Sequence, residues 1–188
     1  MESGISDEEL MLSFRDGNQN AFETLYTRHK GGIYRFLLSK CKYDKSLAEE
    51  LYQDVWMKLV AAKDRYQVRA KFSTYLYQLA YNRFIDYYRR EKTRGQYFQT
   101  LDDCVTDNIQ DRADKQPENQ AELQQQSELL ADLIDKLPEE QRDVFILKEE
   151  SGLGIQEIAE VVGVNPETAK SRLRYAVNKL QAGLRANE

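Results

Sequence analysis

Helix breakers are scarce in this chain: three prolines and nine glycines among 188 residues. With apolar residues recurring at helical spacing and no run of alternating β-branched residues, that scarcity excludes a sheet-built fold and predicts an all-α protein. Cysteine and histidine are scarcer still. Cys41 and Cys104 are too few and too far apart for a disulfide framework, and a single histidine, His29, excludes the usual histidine-rich metal centres. Both thiols are expected to be free and His29 to lie on the surface. No segment approaches the roughly 18 apolar residues that a bilayer-spanning helix requires. The start, Met1-Glu2-Ser3-Gly4, lacks the basic and then apolar pattern of a secretion leader. The expected location is therefore cytoplasmic, without membrane insertion. Neither a catalytic triad, a phosphate-cradling glycine loop nor a paired-carboxylate site is present, so no enzymatic activity, cofactor or metal is expected.

The charges are unevenly placed. The net charge of −5 argues against nucleic acid as a partner only until the chain is divided. Residues 65–95 hold eight basic and two acidic side chains, and residues 165–185 hold five basic and one acidic. Between them, residues 96–140 hold twelve acidic and three basic. Two basic blocks separated by an acidic connector suit two DNA-contacting modules joined by a segment that DNA repels, although a solvated face gives the same pattern.

Helical periodicity organises the first half. A short helix is expected from Asp7 to Phe14, ended by the Asp16-Gly17-Asn18 turn. A longer one should carry Ala21, Phe22, Leu25, Tyr26, Ile33, Phe36 and Leu37 to about Cys41, weakened by Gly31 and Gly32. Ser46 and Glu49 have capping-box spacing, and Leu47, Leu51, Val55, Leu59 and Val60 then mark a buried face opposite Glu50, Gln53, Asp54 and Met57. A fourth helix should run from about Ser73 to Lys92. Its apolar line of Phe72, Leu76 and Leu79 continues through Arg83, Asp86 and Arg90, which implies either intrahelical ion pairs or a polar partner. The neighbouring stripe of Tyr77, Tyr81, Phe84 and Tyr88 fits a core or a surface that stacks on unpaired bases.

Residues 96–120 read as a flexible linker between two small helical domains, 1–95 and 121–188. In the second, a helix from about Ala121 to Leu137 precedes one that begins with Pro138 and stops at Ser151-Gly152. Residues 154–180 then read as a helix-turn-helix. Ala159 permits a close crossing, Gly163 supplies a left-handed turn, and Asn165-Pro166 caps and starts the second helix. Ala169, Leu173, Ala176, Val177, Leu180 and Leu184 fall on its inner side, leaving Glu167, Ser171, Arg174, Tyr175 and Asn178 outward.

Four stretches together resemble the extracytoplasmic-function type of bacterial RNA polymerase sigma factor. They are residues 17–26 (GNQNAFETLY), 48–56 (AEELYQDVW), 72–82 (FSTYLYQLAYN) with 86–90 (DYYRR), and 137–140 (LPEE) followed by the helix-turn-helix. The resemblance spans nearly the whole chain and implies the family's region 2 and region 4, joined by a linker. It implies docking of Glu49, Glu50, Gln53, Asp54 and Met57 on the clamp helices of core RNA polymerase. It also implies capture of a flipped base of the non-template minus-ten strand of promoter DNA by Tyr66, Arg69, Lys71, Ser73, Asn82, Arg83, Arg89 and Arg90. Duplex reading of the minus-thirty-five element would fall to Glu167, Thr168, Lys170, Ser171, Arg172, Arg174 and Tyr175. An anti-sigma factor is the further partner implied. The family usually has tryptophan at Tyr75, commonly arginine at Tyr81 and often glycine at Glu167, so promoter preference does not follow from its pattern. From the residues alone, a two-domain regulator binding only duplex DNA, or a module that sequesters a protein partner, remains open.

Overall fold

The computed structural model describes residues 4–94 and 120–186. Among these the regular structure is eight α-helices with one 3-10 turn and no strand. They are α1 (Asp7–Arg15), α2 (Gln19–Lys40), α3 (Lys45–Ala62), α4 (Phe72–Arg94), α5 (Gln120–Asp135), α6 (Glu139–Ser151), α7 (Ile155–Val162) and α8 (Pro166–Arg185). Side-chain caps start α1, α2, α3 and α8. The Glu9 N–H donates to Ser6 Oγ at 3.2 Å while the Ser6 N–H donates to Glu9 Oε2 at 2.9 Å, a capping box of the kind worth about 1 kcal/mol. α3 begins before the expected Ser46 box, because Asp44 Oδ1 accepts the Leu47 N–H at 3.0 Å and places Ser46 inside the first turn. α4 is started by another helix: the Phe72 N–H donates to Glu8 Oε1 of α1 at 2.6 Å.

α1 to α4 enclose Met11, Leu25, Ile33, Phe36, Leu37, Leu51, Leu59, Phe72 and Leu76, all without solvent exposure. A smaller core of Leu137, Ala176 and Leu180 lies under Leu133, Ile134 and Phe145. The remaining apolar faces of α6 and α7 do not stay in the second half. Val144, Leu147, Leu153, Ile158 and Val161 join the core of the first four helices, with α2 packed on α6 and α4 on α7. The two halves therefore share a core, beside the smaller one that the second half keeps to itself. Gly32 permits the approach, since a Cβ there would stand 2.5 Å from the Tyr77 hydroxyl and 3.2 Å from the Glu150 carbonyl oxygen. The glycine that weakens α2 as a helix thus opens the seat for α6.

A polar lock accompanies this contact. Lys40 Nζ donates to Asp143 Oδ1 at 2.7 Å, Asp143 Oδ2 at 2.9 Å and Glu139 Oε1 at 3.1 Å. It lies 4.5 Å from the centre of the Phe84 ring and 5.5 Å from that of Tyr81. Only 2% of the Lys40 side chain and 5% of the Asp143 side chain are exposed. Burial pushes the Asp143 carboxyl above its ordinary range even though Lys40 opposes the shift. Arg35 Nε meets Glu150 Oε2 at 2.7 Å, and the Tyr77 hydroxyl donates to the Glu150 carbonyl at 3.1 Å.

Two local expectations change, those for His29 and Val60, while Cys41 is the free thiol expected. His29 is half-buried, 2.6 Å from Asp7 Oδ2 and against the Phe72 ring. Val60 is 40% exposed, because it falls in register with Gln53 and Met57 on the outer face of α3, while its neighbour Leu59 is buried. Cys41 is a buried free thiol, whose pKa burial and the Asp44 carboxylate push up to about 12. Cys104 and the expected acidic linker lie outside the described residues, apart from Gln120 at its end.

Candidate nucleic-acid interface

The outer face of α3 is built by period. Glu50, Gln53, Met57 and Val60 recur at intervals of three and four and are all exposed, Met57 at 70%. Glu49 lies beside them, also exposed. Asp54 occupies the same face half-buried, held by α4: its Oδ2 accepts from Arg83 Nε at 2.7 Å and from Arg83 Nη2. An acidic rim around two exposed apolar side chains has the chemistry of a protein-docking surface.

The second surface runs from the loop before α4 along that helix. Arg69 and Lys71 in the loop are exposed, as are Asn82, Arg89 and Arg90 on α4, and Ser73 is half-buried. Two residues expected there point elsewhere. Tyr66 is 5% exposed, its ring 5.5 Å from Tyr75 and 6.4 Å from Phe72, and burial raises its hydroxyl pKa to about 12. Arg83, 8% exposed, turns to α3. Both departures follow from α4's apolar line, which draws neighbouring long side chains into the core with it. Of the aromatic stripe, Tyr77 and Phe84 are core, while Tyr81 and Tyr88 are half-buried.

In this form α7 lies over the second surface. Lys71 Nζ is 3.0 Å from Glu157 Oε1. The Glu157 carboxyl, which burial alone would raise, is held below its ordinary range by the Gly154 N–H and Lys71. An open cleft of about 550 Å³ separates Gln78, Asn82 and Arg89 of α4 from Glu160 and Gly163. Glu157 and Glu160, one turn apart on α7, thus face the basic side of α4 with carboxylates. Sequence alone gave no notice of this, since their spacing reads as an ordinary solvated helix face.

The third surface is the outward side of α8. Gly163 takes the left-handed conformation at φ 72°, Val164 N–H closes the turn on the Ala159 carbonyl at 3.0 Å, and Asn165 Oδ1 accepts the Thr168 N–H at 2.8 Å. Ala169, Ala176 and Leu180 are buried behind it. Glu167, Lys170, Arg174 and Tyr175 are exposed, with the Arg174 guanidinium 5.3 Å from the centre of the Tyr175 ring. Thr168, Ser171 and Arg172 are half-buried, and Arg172 Nη2 donates to Glu140 Oε2 at 2.6 Å. A helix presented in this way, after a tight turn, has the shape that enters a major groove. Glu167 at its mouth is the one feature that phosphate repels.

Residues 25–94 match the Sigma-70 region 2 family and residues 127–180 the Sigma-70, region 4 family. The chain is similar to the ECF RNA polymerase sigma factor SigM of Bacillus subtilis (strain 168), at 30% identity over 160 residues covering 85% of this chain and 93% of that protein. It is also similar to the RNA polymerase sigma factor CarQ of Myxococcus xanthus, at 27% identity covering 91% of this chain and 93% of that protein. In fold it is similar to CnrH, solved in complex with the cytosolic domain of CnrY, with a TM-score of 0.67, 24% identity and coverage of 97% of this chain and 99% of that one. It is similar as well to RpoE from Bartonella quintana, solved with the anti-sigma factor NepR, with a TM-score of 0.65, 22% identity and coverage of 89% and 98%. The chain belongs to the ECF RNA polymerase sigma factors, the subunits that bind core RNA polymerase and direct it to promoters.

Proposed function

We propose that the three surfaces divide the work of initiation. The α3 face of Glu49, Glu50, Gln53, Asp54 and Met57 docks on core polymerase. Arg69, Lys71, Ser73 and Asn82, with Arg89 and Arg90, hold the single-stranded minus-ten element, and α8 reads the minus-thirty-five duplex. The protein acts by recognition and strand capture in the cytoplasm, leaving the chemistry to the polymerase. Extracting a base costs a few kcal/mol of stacking and pairing, which a shaped cleft with flanking cations offsets. Asn82, an amide exposed in the cleft with Arg89 two turns further along the same face of α4, is the observation that carries this reading.

The form described here is a resting one. Glu157 occupies Lys71 and α7 lies across the cleft, so the minus-ten strand gains access only when α6 and α7 leave α2 and α4. An anti-sigma factor, the kind of partner with which RpoE from Bartonella quintana was solved, would hold this form if it bound both halves.

The test is abortive transcription by core polymerase on a promoter pool, with wild type, Asp54→Ala and Asn82→Ala. Initiation should require the protein and fall with either substitution. Asn82→Ala should also lose the single-stranded oligonucleotide while keeping core binding. A protein that binds duplex DNA yet neither joins core nor prefers the unpaired strand would be a regulator of another kind.

A further inference from the structure

Arg83 was expected to touch DNA, and its surroundings assign it a different task. It lies next to Asn82 in α4, and successive helical residues diverge by about 100°, so the pair points to two different surfaces. Asn82 is exposed in the cleft. The Arg83 side chain is 9% exposed and its Nε and Nη2 both donate to Asp54 Oδ2. Its Nη1 is buried without a hydrogen-bond partner among the described residues. Asp54 is the carboxylate at the centre of the outer α3 face, and 35% of its side chain remains open to solvent.

We propose that Arg83 is a positioning residue that couples the polymerase-docking carboxylate of Asp54 to the base-holding helix α4, and does not bind DNA phosphate. A buried guanidinium with one carboxylate partner fixes that carboxylate's rotamer and its own helix together, because separating them leaves an uncompensated cation. Polymerase that engages the open side of Asp54 therefore acts on α4 one residue from Asn82. By reciprocity, strand binding at Asn82 strengthens the grip on core. This rests on reading α3 as the docking face.

The experiment uses the full chain with core polymerase and compares wild type, Arg83→Met, Arg83→Lys, Asp54→Asn and the Arg83→Met/Asp54→Asn double substitution, with Met57→Glu as a control on the face itself. Arg83→Met should weaken core binding about tenfold or more, as expected when one partner of a buried charge pair is truncated. The double substitution should be no worse than the worse single one, and Arg83→Lys should recover most of the loss. In holoenzyme at saturating core, Asp54→Asn should weaken binding of a single-stranded minus-ten oligonucleotide several-fold, and Arg83→Met should leave the salt slope of that binding unchanged. A salt slope reduced by about one in Arg83→Met, with core affinity intact, would make Arg83 a phosphate ligand and overturn the proposal. Unchanged oligonucleotide binding in Asp54→Asn holoenzyme would overturn it as well, and this arm stands even if Arg83→Met does not fold. If Met57→Glu weakens core binding while Asp54→Asn and Arg83→Met do not, the coupling fails and the docking face survives. If all three leave core binding intact, the docking face itself is wrong.

Discussion

The two helices proposed to read DNA, α4 and α8, carry similar side chains but are covered differently. α8 presents Lys170, Arg174 and Tyr175 to solvent, with its apolar side settled on α5 and α6. α4 carries Asn82, Arg89 and Arg90 on a surface that α7 partly covers, with Lys71 beside it paired to a carboxylate. Coverage by α7, rather than exposure of single side chains, therefore separates the helix proposed to meet duplex DNA from the one proposed to need uncovering. The order suits the chemistry, because a duplex is present before polymerase arrives and an unpaired strand is not.

The strongest way to break this contrast is at Lys40. Removing one partner of a buried pair costs about 3–5 kcal/mol, so Lys40→Ala should undock α6 from α2, lower the melting temperature and let the free protein bind a single-stranded minus-ten oligonucleotide at least tenfold more tightly. Duplex binding by α8 should not change. Replacing the pair with Lys40→Met and Asp143→Leu should restore docking, since an apolar pair avoids leaving a charge buried alone.

On the α8 side, Arg174→Ala should cost about 1–3 kcal/mol of minus-thirty-five affinity and relax base preference, whereas Lys170→Ala should lower affinity evenly and reduce the salt slope by about one. Binding titrations at several salt concentrations separate the two.

A pH series sharpens the comparison further. Burial raises the Asp143 carboxyl in the docked form, so that form binds protons more tightly than the undocked one. The resulting stabilisation is complete below the ordinary carboxyl range and is lost as pH rises through the docked value. Lys40→Met, which leaves Glu139 and Arg142 as the charged neighbours, should thus reclose on acidification and open as pH rises, read as loss and gain of oligonucleotide binding.

The smallest effect is expected at Glu157. Its lowered carboxyl contributes above the ordinary range and loses that contribution as pH falls through its docked value. Glu157→Gln at pH 7 should release Lys71 and raise oligonucleotide binding by a few-fold, consistent with the worth of a partly exposed pair.

Much of this fold was legible from period and punctuation. The α4 expected over 73–92 spans Phe72–Arg94, and the stop at Ser151-Gly152 and the turn at Gly163 lie where their residues place them. The pairing of faces was not legible. Val144, Leu147, Ile158 and Val161 have helical spacing that declares a buried side without naming what covers it, and they close on the first half instead of within the second. Lys40 reads in sequence as the basic last turn of a helix, and becomes buried only because Asp143, over a hundred residues away, meets it. At the surfaces, Asn82, Glu49, Glu50, Gln53 and Met57 are exposed, whereas Tyr66 and Arg83 are buried and Asp54 half-buried, because residue type alone does not reveal that Tyr66 packs on the start of α4 or that Arg83 reaches back to α3.

The uncovering of α4 can be followed directly by the distance between spin labels at Val68→Cys and Tyr175→Cys, both on exposed positions, with Cys104 replaced by serine. Addition of core polymerase should lengthen that distance distinctly, and Lys40→Ala should do so without polymerase. A distance unchanged by polymerase, while the complex initiates transcription, would contradict the claim that α6 and α7 must leave before the minus-ten strand is read.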